Sequence, residues 1–261
     1  MSLTGKTLSG SYKDLLQVNN SNNGLTTTAK IVSDGEGTRS ALSLCDDCVA
    51  ILPINDDTTT TFTVYSSTGH NVLSVDTTNQ LVVASGNTVN TQYAYFMLDG
   101  SDSSSFLANT HYAIPFQSGM SAVGSPPPFG SGTDPATSFT TADSAGNKSQ
   151  DIVPMLWLVP DAITIDSIKG IEGADSASGD TTRMHLLSYD FTSGSTSCLT
   201  NGTLLAHNSD VTNAGSEQAY LSTFTIDSAD VAANKVILAF LRSDSVSSDY
   251  AINITVKYHL T

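Results

Sequence analysis

The chain of 261 residues carries 25 acidic against 10 basic side chains, a formal net charge of −15, and is 39% hydrophobic. No Lys or Arg occurs between Arg39 and Lys148, so there is no basic patch to neutralise phosphates and nucleic acid is excluded as an expected partner. No stretch approaches the ~20 apolar residues of a membrane-spanning helix. All acids but Glu36, Glu172 and Glu217 are Asp, a turn former, which predicts an all-β chain.

The N-terminus shows no apolar run of a signal peptide, and three cysteines are an odd number for a disulfide framework. Synthesis and folding in a cytosol are therefore expected. Ser11 and Asp14 stand at helix-cap spacing before Leu15 and Leu16, predicting one helical turn over Ser11–Gln17, followed by the loop Asn19 to Gly24. Short strands are then predicted at Thr26–Ser33, Ser40–Cys45, Cys48–Leu52, Thr60–Ser66, Asn71–Val75, Gln80–Ala84 and Thr91–Leu98, separated by turns such as Asp34–Gly37 and Ser66–His70. These strands are short and Thr-rich, so residues 1–100 bury too little apolar surface to close a core alone. Self-association is expected, with equivalent strands of two or three copies sharing one core.

Between Asp99 and Gln150 the composition turns to Gly, Ser and Pro, interrupted by one good strand, Tyr112–Phe116. Strands follow at Ile152–Val159, Ile163–Ile171, Arg183–Phe191, Leu199–Ala206 and Gln218–Ile226. In Val236 to Leu241 every residue is apolar, which suits a strand covered on both faces. In the last strand Ile252, Ile254, Val256, Tyr258 and Leu260 alternate with Asn253, Thr255, Lys257 and His259, the period of a half-buried strand. Residues 101–261 thus read as a jelly-roll-like β-sandwich behind an N-terminal region, residues 1–100. Its core is predicted to include Trp157, Ile237, Leu238, Phe240, Ile252, Ile254 and Val256.

Chemistry-bearing motifs are scarce. Cys45-Asp-Asp-Cys48 reads as a two-residue hairpin turn flanked by thiols; free thiols are the expectation in a cytosol, and a disulfide the alternative. A zinc site would need a second ligand pair, and Cys198 is single. The histidines His70, His111, His185, His207 and His259 form no ligand pattern, and neither a nucleophile elbow nor a phosphate loop is present. Asp56-Asp57 and Asp99 with Asp102 lack calcium-loop spacing, so the acidity reads as solubility. No catalytic, metal or cofactor site is expected, and the chain is expected not to be an enzyme.

The opening Leu3-Thr-Gly-Lys-Thr-Leu-Ser-Gly-Ser-Tyr-Lys-Asp14, then Asp34-Gly-Glu-Gly-Thr38 and Phe62-Thr-Val-Tyr-Ser-Ser-Thr-Gly-His70, resemble the start of structural proteins of marine tailed bacteriophages. Arg183-Met-His-Leu-Leu-Ser-Tyr189 and Asp249-Tyr-Ala-Ile-Asn-Ile-Thr-Val-Lys-Tyr-His-Leu260 resemble the distal domain of the same proteins. The resemblance implies a virion appendage, a head-decorating fibre or a tail-associated fibre, usually trimeric. Its N-terminal part would attach to other virion proteins, and its C-terminal β-domain would face outward; no site residue carries over.

The competing expectation is a module that binds host-surface glycans, with Tyr112, Phe116, Phe129, Trp157, Tyr220 and Tyr250 as the aromatics available to stack on sugars. Strand patterning assigns most of these to the core and leaves Phe129 and Tyr250 for the surface. Display is expected from the loops Gly119–Lys148, Gly173–Thr182 and Ser243–Asp249.

Overall fold

The computed structural model describes residues 13, 15–21, 23–98, 106–117, 127–131, 139–140, 149–175, 178–215, 218–245 and 249–261. Of the expected helical turn at Ser11–Gln17, Ser11, Tyr12 and Asp14 lie outside these residues, and its end, Gln17, is already strand. The chain is all-β and divides into two compact units, residues 1–89 and 90–261.

The first unit holds two antiparallel sheets of four strands, each in chain order. One contains β1 (Gln17–Val18), β2 (Lys30–Ser33), β3 (Arg39–Leu44) and β4 (Val49–Ile51). The other contains β5 (Phe62–Tyr65), β6 (Asn71–Asp76), β7 (Leu81–Ala84) and β8 (Asn87–Thr88). The turns between them follow the predicted chemistry. The Asp34 carboxylate accepts the backbone N–H groups of Glu36 and Thr38 at 2.9 and 2.8 Å, and Gly37 takes a left-handed φ of +87° that a side chain would resist.

Cys45 and Cys48 do flank a hairpin turn, but they are bonded to each other, with sulfurs 2.15 Å and Cα atoms 4.9 Å apart. This corrects the expectation of free thiols: the turn brings the two Cα atoms within the span a disulfide bridges. Val32 and Cys45 are the hydrophobic residues buried among the described part of this unit, while Val49, Leu52, Tyr65 and Val89 are all at least 60% exposed.

The second unit is two antiparallel sheets packed face to face. Its strands are β9 (Thr91–Leu98), β10 (His111–Ile114), β11 (Phe139–Thr140), β12 (Trp157–Val159), β13 (Ile163–Asp175), β14 (Thr181–Phe191) and β15 (Ser197–His207). They continue with β16 (Val211–Thr212), β17 (Gln218–Thr223), β18 (Thr225–Ile226), β19 (Asp230–Val231), β20 (Lys235–Ser243) and β21 (Asp249–Leu260). One sheet runs β10-β20-β14-β15-β11, with β12, β16 and β18 on its margins; the other runs β17-β13-β21-β9, with β19 beside β13.

The alternation of β21 works as predicted. Ile252, Ile254 and Val256 point inward and meet Phe96, Ile168, Met184, Leu186, Ile237 and Ala239 in the core between the sheets. The other parity of β20, namely Val236, Leu238 and Phe240, faces away from that core and packs with Ala113, Phe129, Ile152, Leu187, Tyr189 and Leu199 in a second one. β20 is therefore covered on both faces, as its unbroken apolar run requires.

Two expectations change. β9 pairs with β21 along its whole length, Leu98 opposite Ile252 through Thr91 opposite His259, so the boundary lies before Asn90 rather than at residue 100. Ile152–Met155 is not strand: a helical turn α1 (Ser149–Ile152) runs into a 3-10 turn over Val153–Met155. Pro154 cannot donate to a ladder but is accommodated in the first turn of a helix, and the strand starts only at Trp157.

Residues 90–261 should melt cooperatively as an isolated fragment, and 101–261, lacking β9, should not; circular dichroism on the two fragments checks this. In the full chain Phe240→Ala and Ile254→Ala should each cost about 2–5 kcal/mol in denaturant titrations. Thiol titration in denaturant without reductant should find one reactive cysteine per chain, Cys198.

Candidate functional site

The loops expected to display converge at one end of the second unit. Strand pairing puts Asp175 opposite Asp249 and Thr182 opposite Ser243, so the β13–β14 and β20–β21 connections lie side by side. The Asp244 N–H donates to the Thr181 carbonyl at 3.1 Å, and the Asp244 carboxylate accepts the Thr181 N–H at 2.7 Å. The Asn213 N–H donates to the Asp180 carbonyl and the Gly179 N–H to the Asn213 carbonyl, at 2.9 and 2.8 Å. The chain enters this unit at the opposite end, where the Asn90 side-chain amide donates to the Leu260 carbonyl at 2.8 Å and β9 begins beside His259.

Most of the third expected display segment, Gly119–Lys148, lies outside the described residues. Its described part is no free loop. The Phe129 N–H donates to the His111 carbonyl at 2.8 Å and the His111 N–H to the Gly130 carbonyl at 2.9 Å, laying this stretch along β10 as a cover.

Behind the loops sits a buried polar group. Glu172 is 1% exposed, on the inward parity of β13, and one carboxyl oxygen accepts the Thr182 hydroxyl at 2.7 Å. Burial pushes its pKa above the ordinary 4.5, and the Thr182 hydrogen bond only partly opposes this. Tyr250 and Ser243 share a hydroxyl hydrogen bond of 2.7 Å, and the buried Asn208 accepts the Met184 N–H at 2.7 Å. These bonds supply partners for polar groups that water does not reach, and they hold the end of the sandwich closed.

Beside this end, register gathers basic residues scattered through the sequence. His111 lies opposite Arg242, Arg242 opposite Arg183, and His185 opposite His207, all on the sheet face away from the central core. Two of the three arginines and three of the five histidines thus share one patch. The His111 and His185 rings meet edge to face at 5.0 Å. Burial, then the neighbouring His111, Arg183, His207 and Arg242, push His185 down to about 3, so it is neutral at physiological pH and donates no proton there.

The outer members of the patch have partners. Arg183 pairs with Asp210 at 2.7 Å, Arg242 donates to the Asn109 side chain at 2.7 Å, and His207 Nδ1 lies 2.7 Å from the Asp227 carboxylate. The arrangement braces strands β10, β20, β14 and β15. Among the described residues no three His, Cys, Asp or Glu side chains are grouped to hold a metal ion. The alternation of Arg183 and His185 was visible in the sequence, but their meeting with His111, His207 and Arg242 depends on strand order.

Of the six aromatics proposed to stack on sugars, Tyr112, Phe129, Trp157 and Tyr250 are buried and Phe116 and Tyr220 half-buried. The surface placement of Phe129 and Tyr250 is thereby corrected. Phe129 packs on Phe240 at 5.1 Å, and Tyr250, on the inward parity of β21, meets Phe106 at 6.1 Å. Water instead reaches Tyr93 and Tyr95, whose alternation with Ala94 and Phe96 puts them on the outer face of β9. His259 is on the polar parity of the last strand as expected, but it is buried by the bulge at Asp166, whose carboxylate lies 2.9 Å from its Nδ1. No known family model matches the chain, and no curated protein is significantly similar to it.

Glu172→Gln should stabilise the protein at neutral pH. The folded-state pKa is raised, so from pH 4.5 upward the unfolded chain releases its proton first and wild-type stability declines until the folded carboxyl also ionises. The gap between Glu172→Gln and wild type in denaturant titrations should therefore widen as pH rises from about 4; a gap independent of pH would contradict this placement.

Proposed function

We propose that this chain is a structural protein of a tailed-bacteriophage virion, a head-decorating or tail-associated fibre without enzymatic activity. It forms a homotrimer, joins other virion proteins through residues 1–89 and presents a jelly-roll-like domain, residues 90–261, outward. The observation that supports this most is the contrast between the units. The second buries two cores of its own, whereas the first buries little besides Val32 and Cys45 and leaves Leu16, Val49, Leu52, Tyr65 and Val89 in water. A unit with so many exposed apolar side chains is suited to being covered by other chains.

The entry of the chain at Asn90, away from the converging loops, fits anchoring by the first unit and display by the second. Four of the ten basic residues, Lys6, Lys13, Lys30 and Arg39, lie within the first 39 positions and suit docking on an acidic particle surface.

The chain lacking residues 1–89 should fail to enter particles, while an epitope inserted between the exposed Ser178 and Gly179 should leave incorporation intact and be bound by antibody on whole particles. Incorporation of the truncated chain, or an epitope hidden on particles that carry it, would reverse the proposed orientation.

A further inference from the structure

We propose that the outer face of the β17-β13-β21-β9 sheet docks on the same face of a second copy, about a two-fold axis that runs across the strands. This proposal does not rest on the virion assignment. The opposite parity of these strands, including Phe96, Ile168 and Ile254, is buried in the core, so the outer parity cannot turn inward. Register sets that outer parity out in rows. At its centre Met97, Asn253, Ile171 and Leu221 make one row, and Ala251, Gly173 and Ala219 make the next. Beyond the first lie Tyr95, Thr255, Lys169 and Thr223; beyond the second, Asp249 stands opposite Asp175.

Three properties of these rows point to a second copy. The centre is apolar and uncovered: Ile171 and Leu221 are 51% and 69% exposed, and a groove of about 460 Å³ over the two central rows is lined, apart from Asn253, by apolar residues that include Met97, Leu98 and Ile171. An apolar centre between charged ends is how a docking surface is built.

Shape is the second property. A two-fold axis lying in the contact plane, between the two central rows and at right angles to the strands, sets each of these rows over the other row of the second copy. Ile171 then faces Gly173 of the second copy, Leu221 faces Ala219 and Asn253 faces Ala251, so the large side chains of one copy enter the shallow row of the other.

Charge is the third. The same axis sets Lys169 over Asp175 of the second copy, and does so twice in each pair of chains. Like charges directly opposite each other, as at Asp175 and Asp249, weaken a strand pair, and the lysine of a second copy relieves this. Lys169 is exposed and makes no ion pair among the described residues. Lys257, one row further out, already has an interaction partner, and the contact does not use it.

Strands about 4.8 Å apart and rows about 6.8 Å apart give the face roughly 500 Å² per copy, so pairing buries about 1,000 Å², the lower end for a specific interface. Other occupants fit less well. A copy turned about an axis along the strands would set Lys169 against Lys169 and the large row against the large row. A polyanion would meet Asp175 and Asp249, and a polycation would meet Lys169.

The test is sedimentation of the full-length protein over a concentration series, with native mass measured alongside. Wild type should associate reversibly to twice the mass of the assembly that residues 1–89 form, whether that assembly is a trimer or a single chain. Failure of the trimer would therefore change the starting mass and leave the doubling. Ile171→Glu and Leu221→Glu should each keep the starting mass and weaken the doubling at least about tenfold, as expected for a charge placed in the centre of a contact. Lys169→Glu and Asp175→Lys should each weaken it too, and the chain carrying both should regain it, because the two-fold axis then restores both opposite-charge contacts. That recovery guards against loss through misfolding. Absence of doubling in wild type, doubling unchanged in Ile171→Glu and Leu221→Glu, or no recovery in the doubly substituted chain would overturn the proposal.

Discussion

The second unit depends on β20, a strand that water reaches on neither face. Val236 to Leu241 are all buried, one parity in the core between the sheets and the other in the core on the far side. Apart from Ala239, each such side chain stabilises the fold by about 1.5–3 kcal/mol relative to exposure, but only if something covers it. The β17-β13-β21-β9 sheet covers one side. Phe129 and Ile152 of α1 pack on the other, beside Leu187, Tyr189 and Leu199 of the neighbouring strands. The strand is also paired on both edges, with β14 along one and β10 and β12 along the other, so its backbone groups are satisfied as its side chains are.

The two units solve the problem of burial differently, and the difference bears on function. A chain with net charge −15 keeps copies apart through its field, yet the first unit presents apolar side chains that favour association. Under the proposed function, shared burial between chains resolves this. In the second unit three of the buried polar and charged residues, Glu172, Asn208 and Thr182, hold its loop end shut. The arginine and histidine patch braces the adjoining strands through Asp210, Asn109 and Asp227, which give its outer members hydrogen-bonding partners.

Much of the strand pattern was legible because alternation is a local property. Thr91–Leu98 and the parity of Ile252, Ile254 and Val256 read directly, and so did the turns at Asp34 and Ser66, where one carboxylate or hydroxyl captures nearby N–H groups. What escaped depends on tertiary placement. Thr91–Leu98 was recognised as a strand, but only its pairing with β21 assigns it to the second unit. Phe129 follows three prolines and carries no periodic signal; it is buried because its segment lies on β10. The patch of His111, Arg183, His185, His207 and Arg242 exists only once four strands are ordered. Tyr93 and Tyr95 were within reach, since the parity that buries Phe96 exposes them, but strand periodicity alone does not say which face of a sheet is left uncovered.

The central claim is that residues 1–89 attach and residues 90–261 project. A density map of an assembled particle carrying this protein tests it most directly, because both units can be placed in it by shape. The account predicts the first unit seated on the particle among neighbouring chains, with the loops around Gly179 and Asp244 at the outer tip. A map with those loops buried against the particle and residues 1–89 outermost would contradict it.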